Sequence, residues 1–256
     1  MVSVICPVLN EAPFIRAWCE NVIRFSDDIH VFDCGSTDGT REILEQYPIC
    51  IHENLKRYAE AIWRPYLWQE GEIRNELIDH CRHDWIVNLD ADELFGQKFI
   101  DALPELVKTK QRMIRFLHYQ FWYSVNLIRV RQLKKDWWFR FYPTYQVRMF
   151  RNGIKYATEG NHAPLIGGAL PNRAYSRRTD IPFYHYHHLY RKINDNRADD
   201  INQGGVKLVT YFGEHPEEVR FYDWFQGRKI EIPARTDERI RQLAINLDDC
   251  SPVGKG

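Results

Sequence analysis

Nothing in this chain of 256 residues approaches the ~20 consecutive apolar residues that a bilayer-spanning helix needs, which excludes a helical membrane anchor within it. A charged n-region with a cleavage site is also missing, because Val2 to Leu9 already reads as a core strand. The expected location is therefore cytoplasmic, with peripheral contact at the inner face of a membrane left open. Six cysteines are scattered with no C-x-x-C pair, so a zinc site or a disulfide framework is not expected and buried reduced thiols are. Repeats and low-complexity tracts are absent too. What remains is globular in composition, 44% apolar and 27% charged.

Net charge is zero, yet the charges are not evenly spread. From Gln69 to Leu106 ten acids face three basic residues; from Val107 to Arg151 eleven basic residues face one acid, Asp136. Such a dipole points to an anionic ligand on one side.

Periodicity predicts alternating strands and helices through the first hundred residues. Val2–Leu9, Ile29–Phe32, Ile49–Ile51 and Trp85–Leu89 are short apolar runs suited to central strands. Between them Asn10–Phe25, Thr40–Tyr47 and Glu70–Cys81 carry apolar residues at helical spacing. The expected fold class is α/β, with a mixed, mostly parallel sheet flanked by helices. A helix over Phe99–Lys108 precedes two aromatic, β-prone stretches, Met113–Tyr123 and Trp137–Phe150. Residues 1–97 and 98–194 are read as two halves of one domain, and 195–256 as a helical or irregular extension.

In open sheets of this kind ligands bind outside the carboxyl ends of the strands. Two polar clusters fall there. Asp90-Ala-Asp92 sets two carboxylates just past a strand, where they can meet a hard divalent cation such as Mg²⁺ or Mn²⁺. A diphosphate leaving group needs that help, since it accumulates negative charge as it departs. The pattern is short, and a solvated acidic turn would read the same way. Asp33-Cys-Gly-Ser-Thr-Asp-Gly-Thr40 is more distinctive: Gly35 and Gly39 permit tight turns, and Ser36, Thr37 and Asp38 can cap the next helix. Capping leaves the Asp33 carboxylate available to accept hydrogen bonds from a base or ribose.

Pro7-Val-Leu-Asn-Glu11, Phe32-Asp-Cys-Gly-Ser-Thr-Asp-Gly-Thr40, Arg74-Asn75 and Asn88-Leu-Asp-Ala-Asp-Glu93 resemble, in order and spacing, the motifs of glycosyltransferase family 2. Within it the chain is most similar to the bacterial lipopolysaccharide-core glucosyltransferase type, with counterparts of Tyr142-Pro143, Gln146–Arg151 and a later His-Tyr. The likeness is strong over 2–95, fair over 142–192 and absent beyond about Asp195. It implies a Rossmann-like GT-A fold, inversion at the anomeric carbon, and a nucleotide-diphosphate sugar donor, most readily a UDP-sugar. By the same resemblance Pro7, Asn10 and Glu11 line the nucleoside, Asp33 contacts the base, and Arg74 lies near the diphosphate. Asp90 faces ribose or metal, Asp92 binds the Mn²⁺ or Mg²⁺ ion, and His185 is a further ligand.

The family's His-Glu reads Asn161-His-Ala163 here, so Glu159, three residues before His162, is the candidate general base, with His162 beside it and Asp180 as another carboxylate in reach. Neither a Q-x-x-R-W signature nor membrane spans are present, which fits single addition better than polymerisation. A nucleotidyltransferase would need a glycine- and lysine-rich phosphate loop that Pro7–Glu11 is not. The acceptor stays open among an anionic envelope saccharide, a lipid-linked glycan and, as in some phages, a modified base in nucleic acid; a lapsed sugar-nucleotide-binding protein is the non-catalytic alternative. Arg129-Val-Arg131 and Lys134–Trp138 read as a basic, aromatic loop suited to such an acceptor.

Overall fold

The computed structural model describes residues 1–53, 70–122, 124–133, 140–142, 144–158, 164–166, 175–189 and 206–221. In chain order these form β1 (Ser3–Val8), α1 (Ala12–Val22), β2 (Asp28–Asp33), α2 (Thr40–Leu44), β3 (Cys50–His52), α3 (Glu70–His80), β4 (Trp85–Asn88), β5 (Glu93–Phe95), α4 (Gln97–Leu106), β6 (Met113–Trp122), β7 (Ser124–Leu133), β8 (Arg140–Tyr142), β9 (Thr144–Arg151), β10 (Lys155–Tyr156), β11 (Leu165–Ile166), β12 (Ser176–His188) and β13 (Val206–Thr210), with a 3₁₀ turn at Glu217–Phe221. Eleven strands make one sheet whose main path runs β13-β7-β6-β9-β4-β1-β2-β3. β12 pairs with β5 and β6, and β8 with β7.

The first half follows from the sequence. β1 is buried at every position but half-buried Pro7 and pairs in parallel with β2 on one side and β4 on the other. Its side chains alternate between two cores, as a strand period of two requires. Val4 and Cys6 join the cluster under α1 and α4, while Ile5 joins the one under α3 with Ile73, Leu77 and Ile86. α1 starts with proline in its first turn, where a missing N–H costs nothing. Its buried Trp18 donates from Nε1 to the Leu89 carbonyl at 3.1 Å. Asn21, also buried, donates to the Phe95 carbonyl at 2.8 Å and accepts from the Phe95 amide at 3.0 Å. One helix therefore grips the backbone on both sides of the Asp90–Asp92 turn.

The mixed α/β, Rossmann-like arrangement expected of a GT-A domain is met, but parallel pairing prevails only among β1 to β4 and recurs beyond them between β6 and β12. β9 returns antiparallel between β4 and β6, and β7 runs antiparallel to β6, β8 and β13. β6 and β7 are almost contiguous in sequence, and so short a link cannot make the crossover that parallel strands need. Arg129-Val-Arg131 lies within β7 rather than in a loop, because its residues pair with β13. The 195–256 segment, expected to be helical or irregular, contributes that strand, Val206–Thr210, besides the 3₁₀ turn; β-branched Val206, Val209 and Thr210 suit an edge strand better than a helix. Asp33 and Asp90 nonetheless sit where the pattern put them, at the carboxyl ends of β2 and β4 on either side of β1.

Candidate active site

The first two loops interlock. Asn10, in a left-handed conformation (φ 57°) that asparagine tolerates better than most residues, accepts at Oδ1 from the Thr37 amide at 2.8 Å; its own amide donates to Ser36 Oγ at 3.0 Å. The Glu11 amide donates to Thr40 Oγ1 at 2.8 Å. Asp38 accepts from the Ala12 amide at 3.0 Å, the Thr40 amide at 3.0 Å and Thr40 Oγ1 at 2.5 Å. It thus serves the first turns of both α1 and α2, while Ser36 and Thr37 hold Asn10 rather than capping α2. Gly35 and Gly39, at φ +95° and +96°, supply the backbone conformations this loop requires.

Asp33 is buried, and its Oδ1 accepts from the Gly35 amide at 3.2 Å and the Ser36 amide at 2.9 Å. Its carboxylate thereby shapes the loop, and Oδ2 lies 3.9 Å from Arg41 Nη1. It is not simply a spare acceptor at the strand end.

Past β4, Asp90 and Glu93 close a turn in which the Glu93 amide donates to the Asp90 carbonyl at 2.9 Å and the Asp90 amide to Glu93 Oε2 at 3.2 Å. Two arginines hold these acids. Arg74, from α3, donates to Asp90 Oδ1 at 2.7 Å and to Glu70, and its Nη1 reaches Asn88 Oδ1. Arg148, from β9, bonds Glu93 through both Nε (2.7 Å) and Nη2, and lies 3.6 Å from Asp90. Burial would lift the Asp90 carboxyl, but Arg74 and then Arg148 outweigh it and hold the group below the usual range. Glu93 is fully buried and goes the other way: burial raises it more than Arg148 lowers it. The two charge blocks of the sequence therefore meet inside the molecule. Arg151 over Trp85 (4.3 Å) and Arg129 over Trp122 (5.4 Å) are engaged with aromatic faces as well, so the +10 segment is not one free basic surface.

β12 supplies the remaining member. His185 pairs in register with Glu93 on β5, and its Nε2 lies 3.4 Å from Asp92 Oδ1. The Tyr186 amide donates to the Asp92 carbonyl at 2.9 Å. Burial pulls the His185 imidazole down, but Asp92 outweighs it and the net shift is upward. His185 thus joins Asp92 from a strand, and the next residue, Tyr186, is buried on the other face, the alternation of β-structure. His185 Nδ1 is 3.0 Å from His118 Nε2, and Glu93, His118 and His185 form a cluster whose ligand atoms lie within 4.8 Å of one another.

Asp90, Asp92, His185 and Arg74 are therefore brought together, and Asn10, Glu11 and Asp33 form the neighbouring loop pair; Pro7 sits in β1 between them. Glu159 and His162 lie outside the described residues, as do Lys134–Trp138. Glu93, Arg148 and His118 had been given no role. The first two stand inside quoted motifs; His118 carries no local signal, since only strand pairing brings it to His185. No helix among the described residues is long and apolar enough to cross a membrane.

The model of glycosyl transferase family 2 matches residues 3–163. The lipopolysaccharide core biosynthesis glycosyltransferase LpsC of Rhizobium meliloti is 29% identical over 116 residues, which cover 43% of this chain and 38% of that protein. An uncharacterized glycosyltransferase of Rickettsia bellii is 32% identical over 111 residues, covering 43% of this chain and 34% of the other. The chain thus matches well under half the length of these relatives. Among solved structures, glucosyl-3-phosphoglycerate synthase of Mycobacterium tuberculosis, in complex with Mn²⁺ and UDP-glucose, gives a TM-score of 0.36 at 20% identity over 46% of this chain and 43% of that one. TarS residues 1–349 of S. aureus gives 0.44 at 15% identity over 73% and 60%. With one family match running through the Asn10, Asp33, Asp90–Glu93 and Arg148 segments, the chain belongs to glycosyltransferase family 2.

Proposed function

We propose that this chain transfers a hexose, with inversion, from a UDP-sugar to the hydroxyl of an anionic saccharide or lipid-linked glycan, with a divalent cation held at Asp92 and His185. The observation that carries this reading is the 3.4 Å approach of His185 Nε2 to Asp92 Oδ1 at the carboxyl edge of the sheet. Ligands ~2.1 Å from an octahedral ion lie about 3 Å apart, so the pair fits one cation with little adjustment. One oxygen and one nitrogen donor favour Mn²⁺ over Mg²⁺, which prefers oxygen alone. A bound cation supplies Lewis-acid stabilisation of the departing diphosphate, worth several kcal/mol.

The chain's own residues do the rest. Asp90, tied to Arg74 and Arg148, is the acid left facing ribose, its charge already partly compensated. The interlocked loops of Asn10–Glu11 and Asp33–Thr40 form the nucleoside wall, and Asp33 receives the base. The acceptor hydroxyl must lose a proton during in-line attack, and Glu159, with His162 beside it, is assigned that task. A hollow of about 560 Å³ lined by Tyr119, Tyr184, Tyr211 and Asp180 among others offers aromatic faces suited to a saccharide extending beyond its reacting end.

A thermal-shift screen of nucleotide sugars with Mn²⁺ tests this. The cognate donor at 100 times its Kd should stabilise the protein by ~2.7 kcal/mol. Asp92→Ala should abolish that shift and lower kcat/KM by about 10²-fold or more. An Asp92→Ala enzyme that releases nucleoside diphosphate as fast as the parent would overturn the assignment.

A further inference from the structure

His118 is buried in β6, with its ring among aromatic neighbours. Its ring lies flat on Phe183, 4.7 Å between centroids at 4°, and next to His185, at 5.2 Å and 24°. Phe183 and His185 alternate along β12, so His118 sits across from both. Its two nitrogens meet polar atoms: Nε2 lies 3.0 Å from His185 Nδ1 and Nδ1 lies 3.4 Å from Thr144 Oγ1. Thr144 stands directly opposite His118 on β9. Thr144, His118, His185 and Asp92 thus form a file running from one strand to the next.

Two ring nitrogens 3.0 Å apart can share only one proton between them. That condition couples the tautomers of the two rings. With His185 carrying its proton on Nε2, that N–H donates to Asp92, Nδ1 accepts from His118 Nε2–H, and Thr144 O–H donates to His118 Nδ1. With a cation at Asp92 and His185, Nε2 must present its lone pair. His185 then carries its proton on Nδ1 and donates to His118 Nε2; His118 carries its own on Nδ1 and donates to Thr144 Oγ1, whose hydroxyl rotates. Each ring keeps one proton in both states, so nothing is gained or lost.

We propose that His118 is a positioning residue that, with Thr144, fixes which nitrogen of His185 carries the proton and so holds its Nε2 lone pair toward Asp92. This rests on the reading of Asp92 and His185 as cation ligands. Removing such an outer partner typically weakens metal binding 10- to 100-fold.

The test compares His118→Phe, which keeps the stacked ring, with His118→Gln, which can return a polar atom near the Nε2 position. Mn²⁺ binding with UDP present is read from the loss of the free-ion electron paramagnetic resonance signal. His118→Phe should bind ~10- to 100-fold more weakly while melting no lower than the parent without metal, and His118→Gln should recover most of the affinity. In the parent, nitrogen-15 spectra should show both imidazoles changing tautomer on titration with Mg²⁺ and UDP. Unchanged Mn²⁺ affinity in His118→Phe, equal loss in both variants, or tautomers that stay put would each overturn the proposal. A His185→Ala variant that binds Mn²⁺ as well as the parent would instead overturn the cation site itself, and the two failures are distinguishable.

Discussion

Replacing Arg148 by methionine is the most demanding test of how the acidic turn is held. Glu93 is fully buried and Arg148 reaches it through two nitrogens, with Asp90 3.6 Å from the same guanidinium. Without the arginine, the Glu93 carboxylate keeps only the Asp90 amide as a donor among the described residues, and a buried carboxylate stripped of its cation typically costs ~3–5 kcal/mol. At roughly 2–4 °C per kcal/mol for a chain of this size, the melting temperature should fall by about 6–20 °C. The variant can escape part of this cost by protonating Glu93. Burial already holds that carboxyl above its ordinary range, and the variant should raise it further. A raised carboxyl contributes stability below its unfolded pKa and loses it as pH rises through the folded value, so the deficit should grow from acid toward neutral pH. Adding Glu93→Gln removes the stranded charge while keeping an oxygen for the Asp90 amide, and should restore at least half of the loss. Urea unfolding of the parent, both single variants and the double variant gives the coupling directly. A single-variant loss under about 1 kcal/mol, or a double variant less stable than Arg148→Met alone, would refute the reasoning.

Asp38→Ala removes acceptors from the Ala12 and Thr40 amides and from Thr40 Oγ1; it should cost about 1–2 kcal/mol in urea unfolding and, if the same loops form the proposed nucleoside wall, weaken UDP binding. At the outer edge of the sheet His52 lies 3.0 Å from His30 and stacks on His80 at 4.4 Å, with Asp28 and Arg82 behind His30. Burial, then His80 and His30, push the His52 imidazole down to about 4. A histidine depressed in the fold takes no proton there that the unfolded chain takes. The His52 contribution should therefore be constant above about pH 6.5 and fall between 6.5 and 4, by roughly 1–2 kcal/mol after allowance for solvent screening. His52→Gln should make that limb shallower in urea midpoints measured from pH 7.5 to 4.5, with His30, His118 and His215, likewise pushed down by burial, keeping part of it; an unchanged slope would refute it.

Much of the site was legible because its residues are local to strand ends. Asp33 and Asp90–Asp92 follow apolar runs directly, so the rule that ligands gather at carboxyl ends placed them before any contact was known. The bonds from the Gly35 and Ser36 amides to Asp33, and from the Ala12 amide to Asp38, were not legible, because a sequence cannot say which backbone amides will crowd a carboxylate. Arg129–Arg131 looked like a basic loop; its charges hid an edge pairing with Val206–Thr210 that lies some 75 residues away.

Local pattern by itself determined the alternation of strand and helix through residue 106, the turn conformations at Gly35 and Gly39, and the position of the carboxylates, because each depends on residues within a few places of one another. Tertiary structure alone decided that the basic block would send Arg148 into the acidic one, that Asn10 would be tied to Thr37, and that His118 would meet His185. Those encounters are set by β4–β9, β1–β2 and β6–β12 pairing, and strand pairing joins residues whose separation along the chain carries no periodic trace.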